Sequence, residues 1–125
     1  MMIPVLYIEA TKDTPKILFD AENNQFEISE KSLPEDAIGF FQPVFDWLNQ
    51  YIDNPKEEST FVFYLDYYST STAKQLTKIF YLIEKLSEKS KVKVVWKYQD
   101  ADIDMYHAGL RYQKMLKIDF DIQKV

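Results

Sequence analysis

An apolar strand pattern, an amphipathic helix and a second apolar strand pattern follow one another in the middle of the chain, and this order constrains the fold most. Residues 60–68 (TFVFYLDYY) are apolar at most positions, which is typical of a central strand covered on both faces. Residues 92–98 (VKVVWKY) predict a further strand. Between them, residues 72–88 place apolar side chains on one helical face: Ala73, Leu76, Ile79, Phe80, Ile83 and Leu86. The order predicts a parallel βαβ unit with its helix packed across the sheet.

The segments on either side predict more strands of a mixed sheet. Residues 4–9 predict a short strand, and residues 16–19 and 25–29 predict a hairpin around the loop of residues 20–24. Apolar and charged residues alternate over residues 118–122, which predicts an edge strand.

Two further helices complete the predicted fold. The spacing in Ser32-Leu33-Pro34-Glu35 is that of a capping box, which predicts that the first helix begins there, and Pro43 predicts a kink or a restart near Gln42. Its apolar stripe comprises Ile38, Phe41, Val44, Phe45, Leu48, Tyr51 and Ile52. A third helix is predicted after an N-cap within residues 100–104. For 125 residues we expect a single domain, residues 1–125, of the α/β class bordering on α+β, with about five or six strands and about three helices.

The charge of the chain excludes several kinds of partner. The formal net charge is −5, and Arg111 is the single arginine, whereas nucleic-acid binders normally carry a basic surface rich in arginine. The chain has no apolar run long enough for a membrane span. Its first residues lack the basic segment of a secretion signal. We therefore expect a cytoplasmic domain that binds neither nucleic acid nor membrane.

The residues that most enzymes need are scarce. The chain has no cysteine, one histidine (His107) and two glycines, which argues against metal sites, thiol nucleophiles and phosphate-binding loops. Asp100, Asp102 and Asp104 match the start of a calcium loop, but its later positions do not, so we interpret them as the N-terminus of the third helix. His107 is interpreted as a polar position on that helix. We expect no cofactor, no metal and no enzymatic activity.

Aromatic residues cluster on the two predicted central strands. They are Tyr64, Tyr67, Tyr68, Trp96 and Tyr98. Because aromatic side chains fit pleated surfaces well, we expect them to pack in the core and on the sheet.

Four consecutive hydroxyl residues, Ser69-Thr70-Ser71-Thr72, join the central strand to the following helix. The N-terminus of a helix offers unpaired N–H groups and a partial positive charge, which suit a phosphate. Lys74, four residues after Thr70, would lie one turn along the helix and could share the phosphate charge. Serine and threonine are also the preferred N-caps, so the run could equally serve only to start the helix.

Four stretches of the chain, in the same order, resemble the SiaC-type family of bacterial regulatory phosphoproteins. These are residues 7–15 (YIEATKDTP), 32–48 (SLPEDAIGFFQPVFDWL), 64–86 (YLDYYSTSTAKQLTKIFYLIEKL) and 94–109 (VVWKYQDADIDMYHAG). The family resembles the anti-sigma-factor antagonists, which implies a STAS-like mixed-sheet domain without catalytic activity.

The resemblance also implies a function and a site. It implies phosphorylation by a dedicated serine/threonine kinase, dephosphorylation by a metal-dependent phosphatase, and an unphosphorylated form that binds an effector protein, in one branch a diguanylate cyclase. The family's phosphoacceptor threonine, in an Asn-Thr-Ser-Ser stretch, aligns with Thr70. This chain has Ser69 where the family has asparagine, so Ser69 and Ser71 are alternative acceptors. The other interpretation is a constitutive protein-interaction domain whose Ser/Thr run is only a helix cap.

Overall fold

Six strands and three helices alternate along residues 3–125, the part of the chain that the computed structural model describes. The strands are β1 (Leu6–Ile8), β2 (Lys16–Asp20), β3 (Gln25–Ser32), β4 (Glu58–Tyr68), β5 (Lys91–Tyr98) and β6 (Asp119–Lys124). The helices are α1 (Ala37–Asp53), α2 (Thr70–Leu86) and α3 (Ile103–Met115). Met1 and Met2, which begin the segment used above to argue against secretion, lie outside the described residues.

All six strands form one sheet whose order follows the chain, β1-β2-β3-β4-β5-β6. The first three strands pair antiparallel, and the pairs β3–β4, β4–β5 and β5–β6 are parallel. Each parallel pair is joined by one of the three helices. The predicted mixed sheet, the βαβ unit and the C-terminal edge strand are thus confirmed.

The three helices cover one face of the sheet. Trp47 of α1 packs on Phe26 with ring centroids 5.7 Å apart, and Phe80 of α2 packs on Phe63 at 4.7 Å. In α3, Tyr112 packs at 5.4 Å on Trp96, which is the strand neighbour of Phe63. Because the strand order never reverses, crossovers of one hand leave every helix on the same side.

The prediction that the central strand is covered on both faces was therefore wrong. Phe61, Phe63 and Leu65 of β4 are buried under the helices, whereas Val62 and Tyr64 on the opposite face are only half-buried. Neighbouring strands cover these two side chains in part. This partial burial explains why β4 carries apolar residues on its open face as well as on the face under the helices.

The start of α1 differs from the prediction. Ser32 is not an N-cap but the last residue of β3, and Asp36 caps the helix by accepting a hydrogen bond from the Gly39 N–H at 3.0 Å. The helix runs through Pro43 without a restart, since buried residues on both sides of the proline hold it in place. Ile38, predicted on the apolar stripe, is 65% exposed.

The N-terminus of α3 agrees with the prediction. Asp102 is its N-cap and accepts a hydrogen bond from the Met105 N–H at 3.0 Å. His107 is exposed on the outer side of this helix. Gly109 lies so close to Trp96 that an added Cβ would come within 2.6 Å of the indole ring, which explains why a glycine occupies this helical position.

The aromatic cluster is confirmed as packing except at Tyr67. Trp96 is buried, Tyr64, Tyr68 and Tyr98 are half-buried, and Tyr67 is 55% exposed at the end of β4. Among residues 3–125, no helix is both long and apolar enough to cross a bilayer.

Candidate functional site

The four-hydroxyl run lies at the junction between β4 and α2. Ser69 is the N-cap of α2, and its hydroxyl accepts a hydrogen bond from the Thr72 N–H at 3.1 Å. Thr70 is the first residue of the helix, which begins two residues before the predicted range 72–88, and its side chain is exposed. The capping interpretation of the run therefore applies to Ser69 and not to Thr70.

Three of the four hydroxyls are engaged in a connected hydrogen-bond network. The Thr72 hydroxyl donates to the Ser32 carbonyl at 3.2 Å, and the Ser69 hydroxyl donates to the Thr72 oxygen at 3.1 Å. Since each hydroxyl has one proton, Ser71 must donate in the 3.0 Å contact with Ser69, and Ser32 must donate in its 2.8 Å contact with Thr72. Thr72 is completely buried.

Thr70 stands outside this network. Within residues 3–125 its hydroxyl has no hydrogen-bond partner, whereas those of Ser69, Ser71 and Thr72 each have at least one. The first hydrogen bond of the helix runs from the Ala73 N–H to the Ser69 carbonyl at 2.9 Å, so the N–H groups of Thr70 and Ser71 precede the regular ladder. An exposed hydroxyl thus lies beside the positive end of a helix of 17 residues.

The end of β3 holds the junction in place from the side. The Ser32 carbonyl accepts a second hydrogen bond from the Ser69 N–H at 3.0 Å. Two residues earlier, Glu30 adopts a left-handed backbone conformation with φ 77° where the pairing of β3 with β4 shifts by one residue. Beyond this shift Ser32 lies opposite Tyr68, immediately before the hydroxyl run. Sequence reasoning missed Ser32 as part of the site because its partner Thr72 is 40 positions away.

Lys74 lies on the exposed side of α2, one turn after Thr70, as predicted. Its ammonium group forms no ion pair with any residue of the described range 3–125. The side chain is therefore available to a negative group placed at the start of the helix.

A cleft of about 270 Å³ opens beside the junction, between the carboxyl end of β4 and helix α3 with its N-cap. Asp66, Asp102 and Asp104 line it together with Arg111 and Tyr67. Within residues 3–125, no three histidine or carboxylate side chains are grouped so that they could hold a metal ion. The cleft adds acidic groups to the surface near the junction.

The buried hydroxyl network makes a first prediction. Replacing Thr72 with valine preserves the shape of the side chain but removes the acceptor of the Ser32 and Ser69 hydroxyls. The Ser32 carbonyl loses one of its two hydrogen bonds and keeps the one from the Ser69 N–H. We expect the free energy of unfolding to fall by about 1–3 kcal/mol. Ser71→Ala, which removes an exposed hydroxyl of the same run, is the matched control and should change it by less than about 0.5 kcal/mol. Urea titration of the three proteins would measure this, and equal stability of Thr72→Val and wild type would contradict the network.

Two tyrosines beside the junction make a prediction about alkaline pH. Burial, reinforced by the nearby Tyr68, raises the pKa of Tyr112, and burial also raises the pKa of Tyr68 from its ordinary value of 10.0. Below about pH 9 both groups are almost completely neutral in the folded and unfolded states. Above it, only the unfolded chain ionises them readily, so the stability of the folded state falls as the pH rises. Tyr112→Phe should lose less stability between pH 9 and 11 than wild type in denaturant titrations, and parallel losses would contradict this account.

The sequence and the fold both match known proteins. A family model described as "SiaC family regulatory phosphoprotein" matches residues 8–125. No curated protein matched the sequence significantly. Three solved structures share the fold. SiaC of Pseudomonas aeruginosa superimposes with a TM-score of 0.87 at 22% identity, covering 98% of this chain and 100% of that one.

The other two structures are of the same protein in different states. Apo-SiaC from Pseudomonas aeruginosa gives a TM-score of 0.86 at 22% identity, covering 97% of this chain and 99% of that one. The complex of the diguanylate cyclase SiaD with its activator SiaC, from the same organism, gives 0.89 at 23% identity, covering 96% of this chain and 99% of the matched one. At these identities the likeness establishes the fold.

Proposed function

The chain belongs to the SiaC family of regulatory phosphoproteins, and on this premise we propose that it is a non-enzymatic partner-switching regulator. In the proposed cycle the unphosphorylated protein binds and regulates an effector, and phosphorylation of Thr70 releases it. A serine/threonine kinase adds the phosphate, and a metal-dependent serine/threonine phosphatase removes it.

One observation carries the choice of Thr70. Among the four residues of the junction, Thr70 combines an exposed side chain with a hydroxyl oxygen that has no partner within residues 3–125. Phosphorylation of Thr72 would require the burial of a dianion, and phosphorylation of Ser69 would remove the cap of α2. Transfer to Thr70 disturbs neither the cap nor the buried network.

The start of α2 suits a phosphate once it is attached. A phosphothreonine carries about −1.5 to −2 charges at neutral pH, and the N-terminus of a helix stabilises negative charge. Lys74 could share that charge from one turn along the helix. We therefore infer that phosphorylation leaves the domain folded and changes only the surface that it presents.

The effector that we propose is a diguanylate cyclase, and the place of action is the cytoplasm. SiaC of Pseudomonas aeruginosa is the activator of the diguanylate cyclase SiaD and has been solved in complex with it. The present domain shares that fold over 96% of its length, which supports a protein effector of the same class. The kinase and the phosphatase are proposed from the family membership.

Peptide mass spectrometry on the protein purified from its own host tests the site. Wild type, Thr70→Ala and the matched control Ser71→Ala would be expressed at the native level and mapped for phosphate. We expect phosphate at Thr70 in wild type and in Ser71→Ala, and a loss of most phosphate in Thr70→Ala.

The possible results separate the proposals. Phosphate found only on Ser69 or Ser71 would move the acceptor while leaving a phosphorylation switch intact. An effector complex that forms with no phosphate anywhere in the run, under every growth condition tested, would favour the constitutive interaction domain.

A further inference from the structure

Helices α1 and α2 leave an open groove between them on the side away from the sheet. Its volume is about 530 Å³, and the residues that line it are Ile38, Gln42, Phe45, Gln75, Lys78, Tyr81, Leu82 and Lys85. Ile38 of α1 and Tyr81 of α2 are 65% and 50% exposed, and both line the groove. Exposed apolar residues that line one groove are typical of a binding surface for another macromolecule.

The groove has no acidic lining residue although the chain contains twenty carboxylates. Lys78 and Lys85 both line it, and neither forms an ion pair with any described residue, 3–125. Two carboxylates adjacent in sequence to lining residues are already hydrogen-bonded: Asp46 accepts a hydrogen bond from the amide of Gln42, which itself lines the groove, and Glu84 accepts one from the Lys117 N–H. An apolar floor edged by unpaired lysines complements an apolar surface edged by acidic residues.

The floor also offers a polar group. Gln75 is largely buried and lines the groove, and its amide, which is not sealed from solvent, has no hydrogen-bond partner within the described part of the chain. An amide in this position can donate to a carboxylate or a glutamine of an occupant. From Gln75 to Lys85 the groove follows α2 for about 15 Å, the length of roughly three helical turns.

Thr70 lies along the exposed, lysine-bearing edge of this groove, because Gln75 and Leu82, the other α2 residues of the lining, lie about 120–140° around the helix from it. At about 100° per residue, the side chains of Thr70, Lys74, Lys78, Tyr81 and Lys85 fall within an arc of about 80° on α2. A phosphate on Thr70 would therefore add negative charge at one end of the row of lysines, and it would draw Lys74 toward itself. An acidic occupant of the groove would be repelled by that charge.

We propose that the groove between α1 and α2 is the docking site for an amphipathic helix of the effector that carries apolar residues on one side and acidic residues along its edges. This inference rests on the proposed function, since it names the surface on which phosphorylation acts. It also gives the release a physical cause, namely repulsion between the phosphate and the acidic helix.

Charge reversal in the groove tests the proposal with the diguanylate cyclase that copurifies with the wild-type chain as the probe. Lys78→Glu combined with Lys85→Glu should weaken cyclase binding at least about tenfold. Lys89→Glu combined with Lys114→Glu changes the net charge equally at two exposed lysines outside the groove that form no ion pair within residues 3–125, and should leave the affinity within about twofold. Thermal unfolding of both double variants checks that they fold. Equal affinity of the two would overturn the proposal.

Photo-cross-linking identifies the occupant. The benzophenone amino acid p-benzoylphenylalanine would replace Tyr81 in the groove or Tyr7, an equally exposed tyrosine on the open face of the sheet. A cross-link from position 81 to an acidic amphipathic segment of the cyclase supports the proposal. A cross-link to a second copy of this chain, to a basic segment, or from position 7 alone overturns it.

Different results would contradict the proposed function itself. If the cyclase binds the wild-type chain equally with and without phosphate on Thr70, the switch is wrong whatever the groove binds. If no cyclase copurifies with the wild-type chain, the proposed effector is wrong, and the groove proposal fails with it.

Discussion

Replacing Phe80 with alanine is expected to lower the free energy of unfolding by about 3–5 kcal/mol. Phe80 is completely buried at the centre of the interface between α2 and the sheet. Its ring lies 4.7 Å from those of Phe63 and Tyr112 and 5.8 Å from that of Phe120. Truncation therefore leaves a cavity between rigid aromatic rings, which cannot collapse to fill it. Chemical denaturation of the two proteins measures the difference.

The matched control is the next residue of the same helix. Tyr81 points outward, so Tyr81→Ala should change the free energy of unfolding by less than about 0.5 kcal/mol. A loss below this value for Phe80→Ala as well would show that the inner face of α2 has been assigned wrongly.

Phosphorylation of Thr70 is expected to weaken effector binding roughly a hundredfold, equivalent to about 3 kcal/mol. There are two physical reasons: a dianion and its hydration shell would obstruct a partner that packs against neutral hydroxyls, and its charge would repel an acidic partner. Titration of the effector with unphosphorylated protein and with protein carrying a phosphate at Thr70 measures both affinities.

Two substitutions at Thr70 serve as controls for the effect of the phosphate. Thr70→Ala should bind the effector as tightly as unphosphorylated wild type and should remain bound after incubation with the kinase. Thr70→Glu carries less charge and fewer acceptor oxygens than a phosphate, so we expect it to weaken binding by much less than phosphorylation does. A Thr70→Ala protein that still loses the effector when the kinase is active would contradict the mechanism.

The part of the fold that the sequence predicted best is the part built from local patterns. The segment from β4 through α2 to β5 combines a long apolar strand, a helical repeat and a second apolar strand, and each pattern is complete within its own element. Leu76, Ile79 and Ile83 are all buried as predicted, because the 3.6-residue period assigns them to one face without knowledge of their partners.

The errors came from contacts between distant segments. Ser32 has the spacing of a helix cap, but its hydroxyl and carbonyl are used by Thr72 and Ser69 across the sheet. Whether helices cover one or both faces of β4 depends on the order of the strands in the sheet, and the residues of β4 do not determine that order. The exposure of Ile38 depends on where α1 packs against α2, which the sequence of α1 does not determine. Ile38 is exposed because it lines the groove between the two helices.

The candidate site was predictable in position but not in detail. The sequence placed Thr70 at the start of a helix after a strand, and the structure has it there. The engagement of Ser69 and Ser71, and the burial of Thr72, depend on side-chain rotamers and on the end of β3. These contacts now distinguish hydroxyls that the sequence pattern left equivalent.

The most direct test of the switch compares two pools of the native protein. The chain would be purified from its host under native conditions, separated by size into effector-bound and free fractions, and analysed for phosphate at Thr70 in each. The account predicts phosphate at Thr70 in the free fraction and almost none in the bound fraction. Equal phosphate occupancy at Thr70 in the two fractions would contradict it.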